Sequence, residues 1–120
     1  MAGFIGELEV RVVRDDKSGL FELVKPFSFV SDVAGLTFTA PAGFRTDFVS
    51  CPRIPFVYDE LGNRARKSGT IHDAIYATHP VDRETADRVL REMVLLDGLN
   101  EVEADAYYAA VRIGGSSHWS

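Results

Sequence analysis

Asp82-Arg83-Glu84-Thr85-Ala86-Asp87-Arg88-Val89-Leu90-Arg91-Glu92-Met93-Val94-Leu95-Leu96-Asp97-Gly98 is the stretch from which the fold is read. Ala86, Val89, Leu90, Met93, Val94 and Leu96 recur at the spacing of one helix face, and Gly98 supplies a stop signal. Downstream, Asn100 is a cap with an acid, Glu103, three residues on. Ala106, Tyr107, Ala109, Ala110, Val111 and Ile113 then continue a third helix to Gly114-Gly115. Upstream, a helical pattern starts at Asn63, carries Ile71, Ala74 and Ile75 as its apolar stripe, and ends at His79-Pro80. The tail is polar except for Trp119, which either folds back on the core or stays exposed as a contact residue.

The first half of the chain changes period. Leu8-Glu9-Val10-Arg11-Val12-Val13 and Leu36-Thr37-Phe38-Thr39 alternate apolar and polar residues as half-buried strands do. Leu20-Phe21-Glu22-Leu23-Val24 and Phe27-Ser28-Phe29-Val30 are two more short β-rich runs, parted by Lys25-Pro26, where proline cannot donate to a ladder. An antiparallel meander follows from these runs. After Pro41-Ala42-Gly43, the segment from Phe44 to Tyr58 reads as an ordered loop held by side-chain hydrogen bonds. The expected architecture is therefore α+β, with a small antiparallel sheet packed against three C-terminal helices. Residues 1–58 are β-rich with a structured loop at 44–58, residues 64–120 are helical, and 1–120 form one domain.

With 46% hydrophobic and 26% charged residues the composition is globular, and no apolar run is long enough to span a bilayer. The start, Met1-Ala2-Gly3-Phe4-Ile5-Gly6, lacks the basic and apolar blocks of a secretory signal, so synthesis in the cytoplasm is expected. A net charge of −5 with scattered Lys and Arg does not make the footprint of a nucleic-acid binder. Cys51 stands alone, which excludes an internal disulfide and a cysteine metal cage within one chain. His79 and His118 have no second histidine at ligand spacing. Phe4, Phe56, Tyr58 and Trp119 lie at segment ends, where an unburied aromatic would mark a protein interface.

The chemistry gathers in Ile71-His72-Asp73-Ala74-Ile75-Tyr76 and at Asp87. His72 and Tyr76 are four apart and share a helix face. The connection from Ala77 to Arg83 is short enough to make the first two helices antiparallel neighbours, so Asp87 can reach the His72 imidazole. A histidine oriented by a carboxylate can serve as a general base, with Tyr76 beside it. Asp73 is a hard oxygen ligand of the type calcium takes. The same side chains can equally form a buried, mutually satisfied network that locks two helices together. Ser50 and Cys51 sit in no recognisable nucleophile elbow, and Asp47 is placed to cap backbone amides or to pair with Arg45 or Arg53.

The order Thr46-Asp47-Phe48-x-Ser50-x-Pro52, Ile71-His72-Asp73-x-x-Tyr76, Ala86-Asp87-x-x-Leu90 and Val111-Arg112-x-Gly114, with a tryptophan after it, resembles the phage-borne domain-of-unknown-function family 1353. That resemblance implies a virion-associated protein of the phage tail or baseplate, made in the host cytoplasm. It would act through contacts with other phage structural proteins or copies of itself, without nucleic acid and without a cofactor. His-Asp-x-x-Tyr followed by an aspartate on the next helix is also similar to calcium-dependent phospholipases. This second resemblance implies His72 as the base that activates water, Asp73 as a calcium ligand, Tyr76 as the orienting phenol, Asp87 as the acid behind the histidine, and membrane lipid as substrate. Those enzymes carry a glycine-rich calcium loop upstream, whereas Asp59-Glu60-Leu61-Gly62-Asn63 has one glycine.

Overall fold

Phe27, Phe29 and Ser31 alternate with partly buried residues, so one face of their strand is sealed and the other is not. That strand is the centre of the sheet on which the helices rest. The computed structural model describes residues 1–14, 20–46 and 66–119. Six strands occur among them: β1 (Gly3–Ile5), β2 (Val10–Arg14), β3 (Leu20–Leu23), β4 (Phe27–Ser31), β5 (Leu36–Ala40) and β6 (Arg45–Thr46). Three helices follow, α1 (Arg66–Thr78), α2 (Arg83–Leu96) and α3 (Glu101–Gly114), and then a 3₁₀ turn, Gly115–His118.

The α+β arrangement read from the sequence is present, with its antiparallel strands divided between two three-stranded sheets, β1-β4-β5 and β2-β3-β6. The break at Lys25-Pro26 is where they part, β3 pairing with β6 and β4 with β5. β1 was not read from the sequence; it pairs with β4 and puts Phe4 opposite Phe29. Phe4 stacks on Phe27 with ring centroids 5.5 Å apart and lies 4.9 Å from Phe29. It is therefore a core-flanking residue rather than an interface aromatic. In β2 a register shift between Val12 and Arg14 interrupts the expected alternation. On the second sheet Glu22 accepts from Arg11 and Arg45 on its two neighbouring strands, and those hydrogen bonds hold its carboxyl below the usual range.

α2 and α3 begin and end where their capping chemistry directs. Asp82 accepts from the Thr85 amide at 2.8 Å, and Asn100 and Glu103 form a reciprocal capping box. Gly98, at φ +98°, closes α2, with the Leu99 amide on the Val94 carbonyl and the Gly98 amide on the Leu95 carbonyl. This double bond to the last turn is a Schellman motif, which needs left-handed backbone at its glycine. Leu99 is buried immediately after it and anchors the start of α3.

Ile71 and Ile75 of α1, Val89, Leu90 and Met93 of α2, and Tyr107 of α3 close the core over Phe27, Phe29 and Leu23. Full burial of each such side chain contributes about 1.5–3 kcal/mol. A polar clamp joins the turn of the first sheet to α2. Glu92 of α2 accepts from the Ser31 hydroxyl at 2.7 Å and from the Asp32 and Val33 amides at 2.9 and 3.2 Å, holding the β4–β5 turn.

Candidate functional site: a buried His–Tyr–Asp–Arg cluster

Helical spacing puts His72 and Tyr76 on the face of α1 that meets α2. Ser68 bonds Asp97, His72 bonds Asp87 and Tyr76 bonds Asp87, so early residues of α1 pair with late residues of α2, as antiparallel helices require. The expected meeting of His72 and Asp87 is observed: His72 Nε2 lies 3.0 Å from Asp87 Oδ1, and the Tyr76 hydroxyl donates to the same oxygen at 2.6 Å. The imidazole and phenol rings tilt against each other at 4.3 Å. His72 and Asp87 are both 0% exposed.

Asp87 is the hub. Its second oxygen accepts from Arg112 Nη1 at 3.0 Å, and Arg83 Nη1 stands 3.6 Å away. Taking a carboxylate out of water costs several kcal/mol after relaxation. Three hydrogen bonds, at roughly 1.5–3 kcal/mol each where a charge is involved, offset that cost. Burial pushes the Asp87 carboxyl up, but hydrogen bonds from His72, Tyr76 and Arg112 outweigh it and hold the group below its ordinary 3.8. For Tyr76 burial and the neighbouring carboxylate act together and push the phenol far above its ordinary 10.0. An ionised Asp87 can only accept, so the His72 nitrogen that faces it, Nε2, is the donor. Nδ1 is buried and has no hydrogen-bond partner among the described residues.

The elements that carry this cluster are those of a recognised family. A family model described as "Protein of unknown function (DUF1353)" matches residues 21–111, from β3 to the last turn of α3. The chain belongs to the DUF1353 family. Neither a curated protein nor a solved structure matches it.

In this DUF1353 chain Asp73 is directed away from Asp87. Its Oδ2 accepts from the Thr46 hydroxyl of β6 at 2.5 Å, so the helix is tied to the second sheet through it. Calcium takes six to eight oxygen ligands. Asp73 brings one carboxylate, already hydrogen-bonded, and among the described residues no three His, Cys, Asp or Glu side chains converge. Those residues do not by themselves build a calcium shell. Asp47, Ser50, Cys51, Arg53, Phe56, Tyr58 and the stretch from Asp59 to Asn63 lie outside the described residues.

His79 and Trp119 stack flat, 3.8 Å apart, and Trp119 meets Tyr76 edge to face at 5.0 Å. Of the two alternatives for the tail, Trp119 takes the folded-back one. A cavity of about 140 Å³ opens between β5 and the end of α1, lined by Thr37, Thr39, Ala74 and Thr78 among others; no member of the cluster lines it.

Arg83 and Arg112 were missed in the sequence. Arg83 had a signal, since it precedes Asp87 by one helical turn. Arg112 was quoted in the motif Val111-Arg112-x-Gly114, but nothing in its spacing pointed to Asp87, to which only the packing of α3 on α2 carries it. Thr46 was quoted as part of a motif, yet nothing in its neighbourhood pointed to Asp73.

Proposed function

We propose that this DUF1353 protein is a phage-particle accessory, a small tail or baseplate component that works through protein contacts, and that its His72–Asp87 cluster is a lock. The observation that carries the lock is the closure of Asp87. Both of its oxygens are taken by side chains of the same chain, and neither it nor His72 is open to solvent. Such a network ties α1, α2 and α3 into one arrangement, and a component that presents a fixed surface to neighbours needs that rigidity. The phage setting rests on the family resemblance. Other phage structural proteins, or further copies of this chain, are the partners it implies.

One observation favours a second reading, a lipid-ester hydrolase acting on the host envelope. His72 has a carboxylate on Nε2 and an unpartnered Nδ1 among the described residues, which is how an oriented general base is built. In that reading Nδ1 takes a proton from a water that adds to an ester carbonyl and returns it to the departing alkoxide as the ester C–O bond breaks, Asp87 stabilises the imidazolium in between, Tyr76 orients Asp87, and Asp73 would give one of the oxygens that a calcium ion needs.

Purified protein assayed on phospholipid vesicles with and without calcium, beside His72→Ala and Asp73→Ala, separates the two. Calcium-dependent hydrolysis lost in both variants, with folding intact, would overturn the lock as a full account. A lower Tm for His72→Ala with no hydrolysis by the native protein removes the hydrolase. Mass spectrometry of purified particles tests the virion assignment on its own, and absence of the protein from them refutes it.

A further inference from the structure

Past α3 the chain turns back toward the phenol end of the cluster. Gly115 is buried against Tyr76, and a Cβ added there would stand 2.6 Å from the phenol oxygen and 3.2 Å from Arg83 Nη1. Trp119 then covers the Tyr76 ring edge-on and stacks on His79. His79 reaches that position from φ +52°, the one non-glycine residue with positive φ among those described, while its amide closes α1 on the Ile75 carbonyl. A non-glycine residue held in that region is strained backbone kept by its surroundings. Here the surroundings include the stacked indole.

The attachments of this segment differ in kind from those of the helices. α2 is held by Val89, Leu90 and Met93, all 0% exposed. Among the described side chains of residues 115–119, the attachments are the two ring contacts of Trp119 at the edge of the core and the close approach of Gly115, whose amide bonds the Val111 carbonyl; Arg83 is bonded to the Val111 and Arg112 carbonyls just before them. Segments with few buried apolar contacts open at lower free energy than the core they lie on.

We propose that residues 115–119 are a strap that opens and closes over the phenol end of the His72–Tyr76–Asp87 cluster while the helices stay folded. Opening the strap uncovers Tyr76 and gives solvent a path to the His72 Nε2–H···Asp87 bond. The proposal rests on the reading of the cluster as sealed and adds how the seal is broken. It gives Gly115 a role through space, since any side chain there must displace the phenol or the strap. It also gives His79 a role, as the platform on which the strap's indole closes.

The test uses the full chain, with amide hydrogen exchange at low denaturant and the His72 Nε2 proton followed by NMR. The amides of 115–119 are expected to exchange about 100-fold faster than those of 89–94, with no dependence on denaturant. Trp119→Ala is expected to speed exchange of the His72 Nε2 proton about 10-fold while leaving 89–94 as protected as before. Gly115→Ala should act in the same direction; should it fail to fold, Trp119→Ala adds no atoms and carries the test. Strap amides that exchange together with 89–94 would overturn the proposal, as would an unchanged Nε2 proton in folded Trp119→Ala. Failure of the lock is read separately, as a native Tm in His72→Ala.

Discussion

Asp87→Asn keeps the shape of the hub and removes its charge. The remaining oxygen can still accept from Tyr76 and His72, but the new amide group then faces Arg112 Nη1, a donor at 3.0 Å, with Arg83 Nη1 behind it at 3.6 Å. Removing one partner of a buried ion pair costs about 3–5 kcal/mol, because the other charge is left uncompensated. The Arg112 and Arg83 side chains are 32% and 21% exposed, so water recovers part of the loss. The lower end applies, about 3 kcal/mol, which for a domain of this size lowers Tm by roughly 12 °C. Because the folded Asp87 titrates below its ordinary 3.8, its ionised form stabilises the protein above that pH, and the contribution is lost as the pH falls through the folded value. Thermal melts followed by circular dichroism at about pH 7 and about pH 2.5 should therefore show a deficit at the first that shrinks at the second. A loss under about 1 kcal/mol at neutral pH, or a deficit unchanged in acid, would refute the account of Asp87 as a charged hub.

Three further outcomes follow from other contacts. Glu92→Ala removes the acceptor of the Ser31 hydroxyl and of two turn amides, and should cost about 2–3 kcal/mol in denaturant melts, with faster amide exchange confined to the β4–β5 turn. Gly98→Ala places a Cβ at φ +98° and should cost about 1–2 kcal/mol, measured as a lower urea midpoint at unchanged slope. Asp97 has the opposite sign to Asp87: burial raises its carboxyl above 3.8 despite the Ser68 hydrogen bond, so its contribution is fully present below 3.8 and lost as the pH rises through the folded value. Asp97→Asn keeps an acceptor for Ser68 and should raise Tm slightly at neutral pH, an advantage that disappears in acid.

Much of the helical half was legible because helices are local. The stripe from Ala86 to Val94, the Asn100–Glu103 box and the Gly98 stop each depend on residues within one or two turns, and each is found where its spacing puts it, whereas Leu96, read as the end of the stripe, is exposed. The meeting of His72 with Asp87 followed for the same reason: a shared face on one helix and a short connection to the next leave few other pairings. The sheets were legible as strands but not as partners. Lys25-Pro26 marked a break without saying that β3 and β4 would join different sheets, and Gly3-Phe4-Ile5 is too short to announce a strand that forms only by pairing with β4.

By itself, then, the sequence determined the α+β order, the limits of α2 and α3 and the facing of His72, Tyr76 and Asp87, since all of these arise from contacts between near neighbours along the chain. Only the tertiary structure decided that Arg112 would reach Asp87, that Asp73 would turn to Thr46, and that Trp119 would close on His79 and Tyr76. Those contacts join segments far apart in sequence, where no periodicity relates one residue to the other and the register of packing alone brings them within reach.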